Sequence, residues 1–246
     1  MIEIRNLTKR YGSFLAVNDI SLTVEKGEIF AFLGANGAGK TTTLRMLTGV
    51  LKPTSGQIKI ANIDMATNPE EAKAVLGFIP DRPYLYNKLT AREYLYFICE
   101  LHGLVSKQVD TKIDELLKRY ALSQWQDSLI ESFSHGMKQR LAMCSALVHQ
   151  PKVLIVDEPM VGLDPHGAKL LKESFRAYAN EGMAILLSTH SLNVAEELAD
   201  RLAIISKGSI ISIGNLAELR KQAGGENKRL EEIFLELTWE SSQFAE

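Results

Sequence analysis

Apolar residues fall along this chain in two rhythms. Ile29-Phe-Ala-Phe-Leu33 and Val153-Leu-Ile-Val156 are unbroken runs of strand length, and the strand Ala184–Ser188 is apolar up to its final serine. Runs of this kind belong to strands buried on both faces. Ile2–Leu7, Leu15–Val24, Ile58–Ile60, Leu202–Ile205 and Ile210–Ile213 also read as strands. Gly12, Lys26-Gly27, Pro53-Thr-Ser-Gly56 and Lys207-Gly208 supply turns beside them. The middle changes rhythm. Thr90-Ala-Arg-Glu93 has the form of a capping box that opens a helix to about Leu101. Val109, Ile113, Leu116, Leu117 and Tyr120 recur at helical spacing, and Ser134 opens a third helix. After Gln150-Pro151 the order is strand, helix (Gly167–Asn180), strand, which predicts a parallel sheet covered by helices. Beyond Gly224-Gly225, the residues Leu230, Ile233, Phe234 and Leu237 share one helical face. The reading is a domain over 1–220 with a helical lobe inserted at about 84–150, then a helical tail over 221–246.

Composition narrows the classes. Of 246 residues 46% are apolar, enough for a large α/β core. Against 30 acidic residues stand 28 basic ones, so no global field draws the chain to nucleic acid or to an anionic membrane. Cys99 and Cys144 form no zinc or redox spacing and read as buried thiols. The N-terminus does not read as a secretory signal, and no apolar run approaches the roughly 18 residues of a membrane span. A cytoplasmic protein in a reducing compartment is expected.

Two segments carry chemistry. Gly34-Ala-Asn36-Gly37-Ala38-Gly39-Lys40-Thr41 follows a strand and opens a helix, and it fits G-x-x-x-x-G-K-[ST]. Its glycines let successive backbone N–H groups point at one spot, and the helix N-terminus adds its positive end. Lys40 can reach the β- and γ-phosphates, and the Thr41 hydroxyl can ligate Mg²⁺. The strand Val153–Val156 ends in Asp157-Glu158. Asp157 can hold the same Mg²⁺, directly or through water. Glu158 then sits where it can polarise an attacking water.

Between these motifs lies Phe133-Ser134-His135-Gly136-Met137. Here the chain resembles the ABC ATPase family, whose Leu-Ser-Gly-Gly-Gln signature this segment follows. Order carries the resemblance: phosphate loop, signature, then Asp157-Glu158. It covers about residues 1–220. It implies a P-loop nucleotide triphosphatase core with a mostly parallel sheet, an N-terminal antiparallel β subdomain and an inserted helical lobe. It further implies ATP and Mg²⁺ as cofactors. The residues it assigns to the nucleotide are Tyr11, Val17, Gly34, Asn36, Gly37, Ala38, Gly39, Lys40, Thr41 and Thr42, with Ser134 and Gly136 meeting the nucleotide of an opposing subunit. Metal falls to Thr41, Asp81 and Asp157, and catalysis to Glu158, His190 and Lys40. Tyr11 matches the residue that stacks on adenine, although a Tyr before Gly is also a turn residue. His190, after a strand, matches the switch histidine, although a lone His there is often structural.

Three departures from the family pattern stand out. Gly77-Phe-Ile-Pro80-Asp81 carries Asp where a Gln is usual, Met137 replaces the last signature residue, and Val161 stands where Ser often precedes Gly162-Leu163-Asp164. By resemblance the subtype is the ATPase subunit of drug- or polysaccharide-type exporters. Such a subunit forms a homodimer or heterodimer of ATPases, peripheral at the inner face of the membrane, on a separate transmembrane permease. The permease would dock near Pro83-Tyr84-Leu85-Tyr86, residues that core packing of the lobe explains equally well. No nucleic acid partner is expected. Two other readings stay open: a soluble ABC ATPase acting on ribosome or nucleic acid, and a weakly hydrolysing regulatory subunit, the latter motivated by Asp81 and Met137.

Overall fold

The computed structural model describes residues 1–104, 108–224 and 228–243, with the side chains of all of these except 108 and 239–243. Strand β3 (Ile29–Leu33) shows how the molecule is organised. All five of its residues are fully buried. Ile29, Ala31 and Leu33 face one apolar cluster, and Phe30 and Phe32 face another. An unbroken apolar run is therefore what a strand with two covered faces requires.

Its sheet runs in the order β10-β9-β3-β8-β7-β6. The members are β6 (Leu76–Ile79), β7 (Val153–Asp157), β8 (Ala184–Thr189), β9 (Arg201–Ser206) and β10 (Ser209–Gly214). All pairings are parallel except β9 with β10. That hairpin turns through Lys207 and Gly208, both at positive φ. A second sheet is antiparallel, in the order β2-β1-β4-β5: β1 (Ile2–Tyr11), β2 (Phe14–Val24), β4 (Ser55–Ile60) and β5 (Ile63–Asp64). Its apolar face closes the cluster that contains Phe30 and Phe32. Helix α1 (Lys40–Leu47) buries Leu44, Met46 and Leu47 in the same cluster.

The opposite face is covered by α3 (Ala91–Leu101), α4 (Gln108–Arg119), α5 (His135–Leu147) and α6 (Pro165–Asn180). Thr90 and Glu93 complete the capping box in both directions, with Glu93 N–H to Thr90 Oγ1 at 3.2 Å and Thr90 N–H to Glu93 Oε2 at 2.8 Å. Ser134 caps α5 by accepting from the Met137 N–H at 3.3 Å. Cys99 and Cys144 are both fully buried.

Several short elements escaped the periodicity, β5 and the helix Leu216–Gln222 among them. β6 absorbs Gly77, Phe78 and Ile79, which the sequence reading placed in the loop that carries Asp81. Four residues with a glycine give almost no alternation, and the strand forms because β7 pairs with it. Short α2 (Pro69–Ala74) and α7 (Leu192–Leu198) have too few turns for a periodic signal. The tail holds α8 (Leu216–Gln222) and α9 (Leu230–Gln243). α9 buries Leu230 and Ile233 fully, with Phe234 and Leu237 packed beside them. Gly225, read as part of the break before it, lies outside the described residues.

Candidate nucleotide site

The loop between β3 and α1 is shaped by backbone crowding. At Gly39, φ is 108° and a Cβ would sit 2.7 Å from the Ala16 carbonyl oxygen. At Gly34 a Cβ would meet the Ile205 carbonyl oxygen at 2.5 Å. Neither position has room for a side chain, and Gly39 also needs the left-handed conformation. The loop thus lies pressed between the β1–β2 hairpin and the β9–β10 turn.

Lys40 is 6% exposed. Its ammonium donates to the Gly34 carbonyl at 2.7 Å and to the Ala35 carbonyl at 3.2 Å, and it lies 3.9 Å from Glu158 Oε1. Burial lowers its pKa, and the charges of Glu158 and then Asp157 pull in the other direction. The Thr41 hydroxyl donates to Asp157 Oδ2 at 3.0 Å, and the Ser188 hydroxyl donates to Asp157 Oδ1. Both oxygens of a carboxylate that is only 4% exposed are therefore held. Glu158, the next residue, takes φ +49°, and its N–H bonds the Ser188 carbonyl at 3.0 Å. Left-handed backbone at a non-glycine residue is a marker of strain held by its surroundings. It turns the Glu158 side chain off the strand line. His190 Nδ1 meets Glu158 Oε1 at 2.8 Å.

A cavity of about 580 Å³ opens over these groups. Asn36, Gly37, Gly39, Lys40, Thr41, Thr42, Asp81, Asp157 and Glu158 line it, as the sequence reading placed them. Phe14, Ala16, Arg45, Phe78 and Arg82 line it too, and the sequence reading missed them. Arg82 directly follows Asp81, and Arg45 is the last-turn cation of α1; those were the available signals. Two cations beyond Lys40 offset the acidity that Asp81 brings.

Other assigned residues stand elsewhere. Val17 is fully buried in the core, and the cavity wall at that point is its neighbour Ala16. Alternation along β2 explains the exchange, since successive side chains face opposite sides. Tyr11 lies outside the cavity lining, and Lys9 Nζ sits 5.2 Å from its ring centre. Phe14, 64% exposed, is the aromatic residue at the cavity mouth. Gly34 and Ala38 shape the loop from behind: Ala38 is 6% exposed and Gly34 is closed over by Ile205. His190 touches the site through Glu158. Ser134 and Gly136 line no part of this cavity and sit at the start of α5.

The oxygen donors are hard, a carboxylate pair and a hydroxyl, and a lysine cation stands beside the backbone N–H groups of the loop. The set suits a nucleoside triphosphate with a divalent cation that retains phosphate and water ligands. Fold and site together define a nucleotide triphosphatase. Comparison with known proteins narrows this. The family model "ABC transporter" matches residues 17–161. The "Bacitracin transport ATP-binding protein BcrA" of Bacillus licheniformis is 41% identical over 223 residues, which is 90% of this chain and 72% of that protein. A solved structure described as an ATP binding subunit of an ABC transporter superposes with a TM-score of 0.92 at 34% identity, covering 97% of this chain and 99% of that one. The dimeric bacterial ABC transporter cassette MJ0796 does so with a TM-score of 0.79 at 27% identity, over 88% and 99%. The chain belongs to the ABC transporter family and is an ATPase of that family.

Proposed function

We propose that this chain is the ATP-hydrolysing subunit of an exporter, working as a head-to-tail dimer on a separate membrane permease at the inner face of the membrane. The observation that carries the catalytic part is the convergence on one oxygen: Glu158 Oε1 lies 3.9 Å from Lys40 Nζ and 2.8 Å from His190 Nδ1.

In this reading the loop N–H groups and Lys40 hold the β- and γ-phosphates. Thr41 and Asp157 would hold Mg²⁺, with Asp81 at the rim, and when bound the ion would supply charge neutralisation at the transferring phosphoryl group. Glu158 accepts a hydrogen bond from water and orients it at the γ-phosphorus. The new O–P bond forms as the bridging oxygen leaves with ADP. His190 fixes the Glu158 carboxylate and senses the γ-phosphate. Ser134 and Gly136 of a second subunit cover the phosphates, so the γ-phosphate favours a closed pair and its loss reopens it. Met137 and Asp81 leave each of the groups named here in place, which supports active turnover over a regulatory role.

Export as the direction rests on the sequence resemblance to drug- and polysaccharide-type exporter subunits, and a relative described as a bacitracin transport protein agrees with a transport role. Among the described residues no helix is long and apolar enough to cross a membrane, so on this reading the path belongs to another chain. The segment before α3 divides its labour. Leu85 is buried, whereas Tyr84 is 90% exposed and Tyr86, edge-on against Phe97 at 5.3 Å, is 52% exposed, so the two tyrosines are the residues available to a permease. The test is a pull-down of tagged Glu158→Gln chain from detergent-solubilised cells with ATP. Stoichiometric recovery of a multi-span membrane protein is the expected result. Recovery of ribosomes or nucleic acid without one overturns the transport reading.

A further inference from the structure

A second cavity, of about 870 Å³, shares Asn36 and Gly37 with the nucleotide cavity. Its other walls include Ile205 at the end of β9, Lys207 in the β9–β10 turn, and Phe234, Leu235 and Thr238 of α9. α9 is held in register by Leu230 and Ile233, both fully buried, and that register turns Leu235 outward to 59% exposure. The rim carries Glu236, which Lys228 already neutralises at 2.5–2.7 Å. What remains is a mostly apolar trough along the edge of the phosphate loop, with Lys207 and Thr238 among its walls.

A matching apolar knob stands on the other side of the chemistry. Val161 is 43% exposed at the end of the segment that follows Asp157-Glu158. This segment is locked to the signature. A Cβ at Gly162 would collide with the His135 ring at 2.3 Å, and a Cβ at Gly136 would meet Leu163 at 3.7 Å. Whatever carries Ser134 and Gly136 to another subunit's phosphates therefore carries Val161 with them. In the head-to-tail dimer proposed above it would arrive at the edge of that subunit's phosphate loop, where the trough lies.

We propose that Val161 of one copy seats against Leu235 in the trough of a second copy, making α9 part of the ATP-closed interface. This rests on the head-to-tail dimer described above. It gives α9 a direct link to nucleotide state, since the trough and the nucleotide cavity share a wall. It also gives the valine at 161 a purpose. An apolar residue at this exposed position has an apolar seat to fill, and burying it there removes both surfaces from water.

The test is sedimentation of the full chain carrying Glu158→Gln, with ATP and Mg²⁺. The parent forms a dimer. Leu235→Glu weakens dimerisation at least about tenfold, as does Val161→Lys, and the two together restore it to within about threefold of the parent. Both positions are exposed, and thermal melts of each variant verify the fold. A naphthalene sulfonate dye binds the monomer trough and is expelled when ATP is added. A Leu235→Glu chain that dimerises like the parent overturns the proposal, as does a double variant no better than the worse single one. Dye that stays bound to the dimer also overturns it and makes the trough a small-molecule site. A parent that remains monomeric with ATP instead defeats the homodimer reading itself, before Leu235 is touched.

Discussion

The phosphate cradle and the signature segment contain similar residue types, yet they are finished to different degrees. In the cradle, Lys40, Asp157 and Ser188 are nearly or fully buried, and each has a partner inside the chain. In the signature, Ser134 and His135 are exposed, and among the described residues the Ser134 hydroxyl is occupied only in capping its own helix. Buried polar groups left unpaired would cost about 1–3 kcal/mol each, so the cradle has to be completed during folding. The signature is under no such demand. On the proposed head-to-tail reading it is one half of a site, and its chemistry begins only when another surface arrives.

The sharpest way to test that contrast is Glu158→Gln. The cradle keeps every group that holds phosphate, so ATP affinity stays within about threefold. Turnover falls by roughly 10²–10⁴, the range for loss of a positioned base. Equilibrium binding and steady-state hydrolysis on the same preparation measure both. A large loss of affinity would mean that Glu158 is part of the cradle and not of the chemistry.

Ser134→Ala probes the unfinished half. Stability falls by about 1 kcal/mol through loss of the α5 cap. ATP binding by the monomer is unchanged, because Ser134 does not line the cavity. Turnover drops on the order of tenfold or more through loss of a phosphate contact in the closed pair. A melt, a binding isotherm at low protein concentration and a turnover assay at high concentration separate the three effects. An isotherm that weakens in the monomer would erase the distinction between the two regions.

The cradle was legible in the sequence because it is local. One strand, one turn and one helix carry all of Gly34 to Thr42, and the chemistry follows from their spacing. Its walls were not legible. Phe14 and Arg82 reach the cavity from segments whose approach is set by sheet packing, and no period in the sequence records that. Val17 was misplaced for a related reason: one step along a strand moves a side chain to the other face, and only the register with β1 decides which. β6 was hidden because pairing with β7, and not its own pattern, makes Leu76–Ile79 a strand.

Ser188 is another residue whose role appears only in three dimensions. It is fully buried on β8 and holds one oxygen of Asp157. Ser188→Ala leaves that oxygen without its donor and lowers stability by roughly 1.5–3 kcal/mol, the range for a hydrogen bond to a charged group. Chemical denaturation reads the loss directly. Its size against the Ser134→Ala change gives a measure of how much more the cradle depends on internal partners than the signature does.

The smallest effect lies at the far end of the signature helix. His149 follows α5, stacks on His102 at 3.8 Å between ring centres, and meets the Leu76 carbonyl through Nε2 at 3.1 Å. A carbonyl only accepts, so Nε2 carries the proton and Nδ1 is the bare nitrogen, buried with no partner among the described residues. Burial first, then the neighbouring His102, lowers the His149 pKa to about 4. The folded value lies below the unfolded one of about 6.5, so the neutral ring contributes stability that is complete above about pH 6.5. That contribution is lost as pH falls from about 6.5 toward 4. Because the ring is partly open to solvent, the loss is on the order of 1–2 kcal/mol. His149→Gln keeps a donor for Leu76 and removes the titration, so its stability is flatter over this window. Denaturation curves at about pH 7.5 and about pH 5 for both proteins supply the difference. A variant that loses as much on acidification as the parent would place the acid sensitivity outside His149.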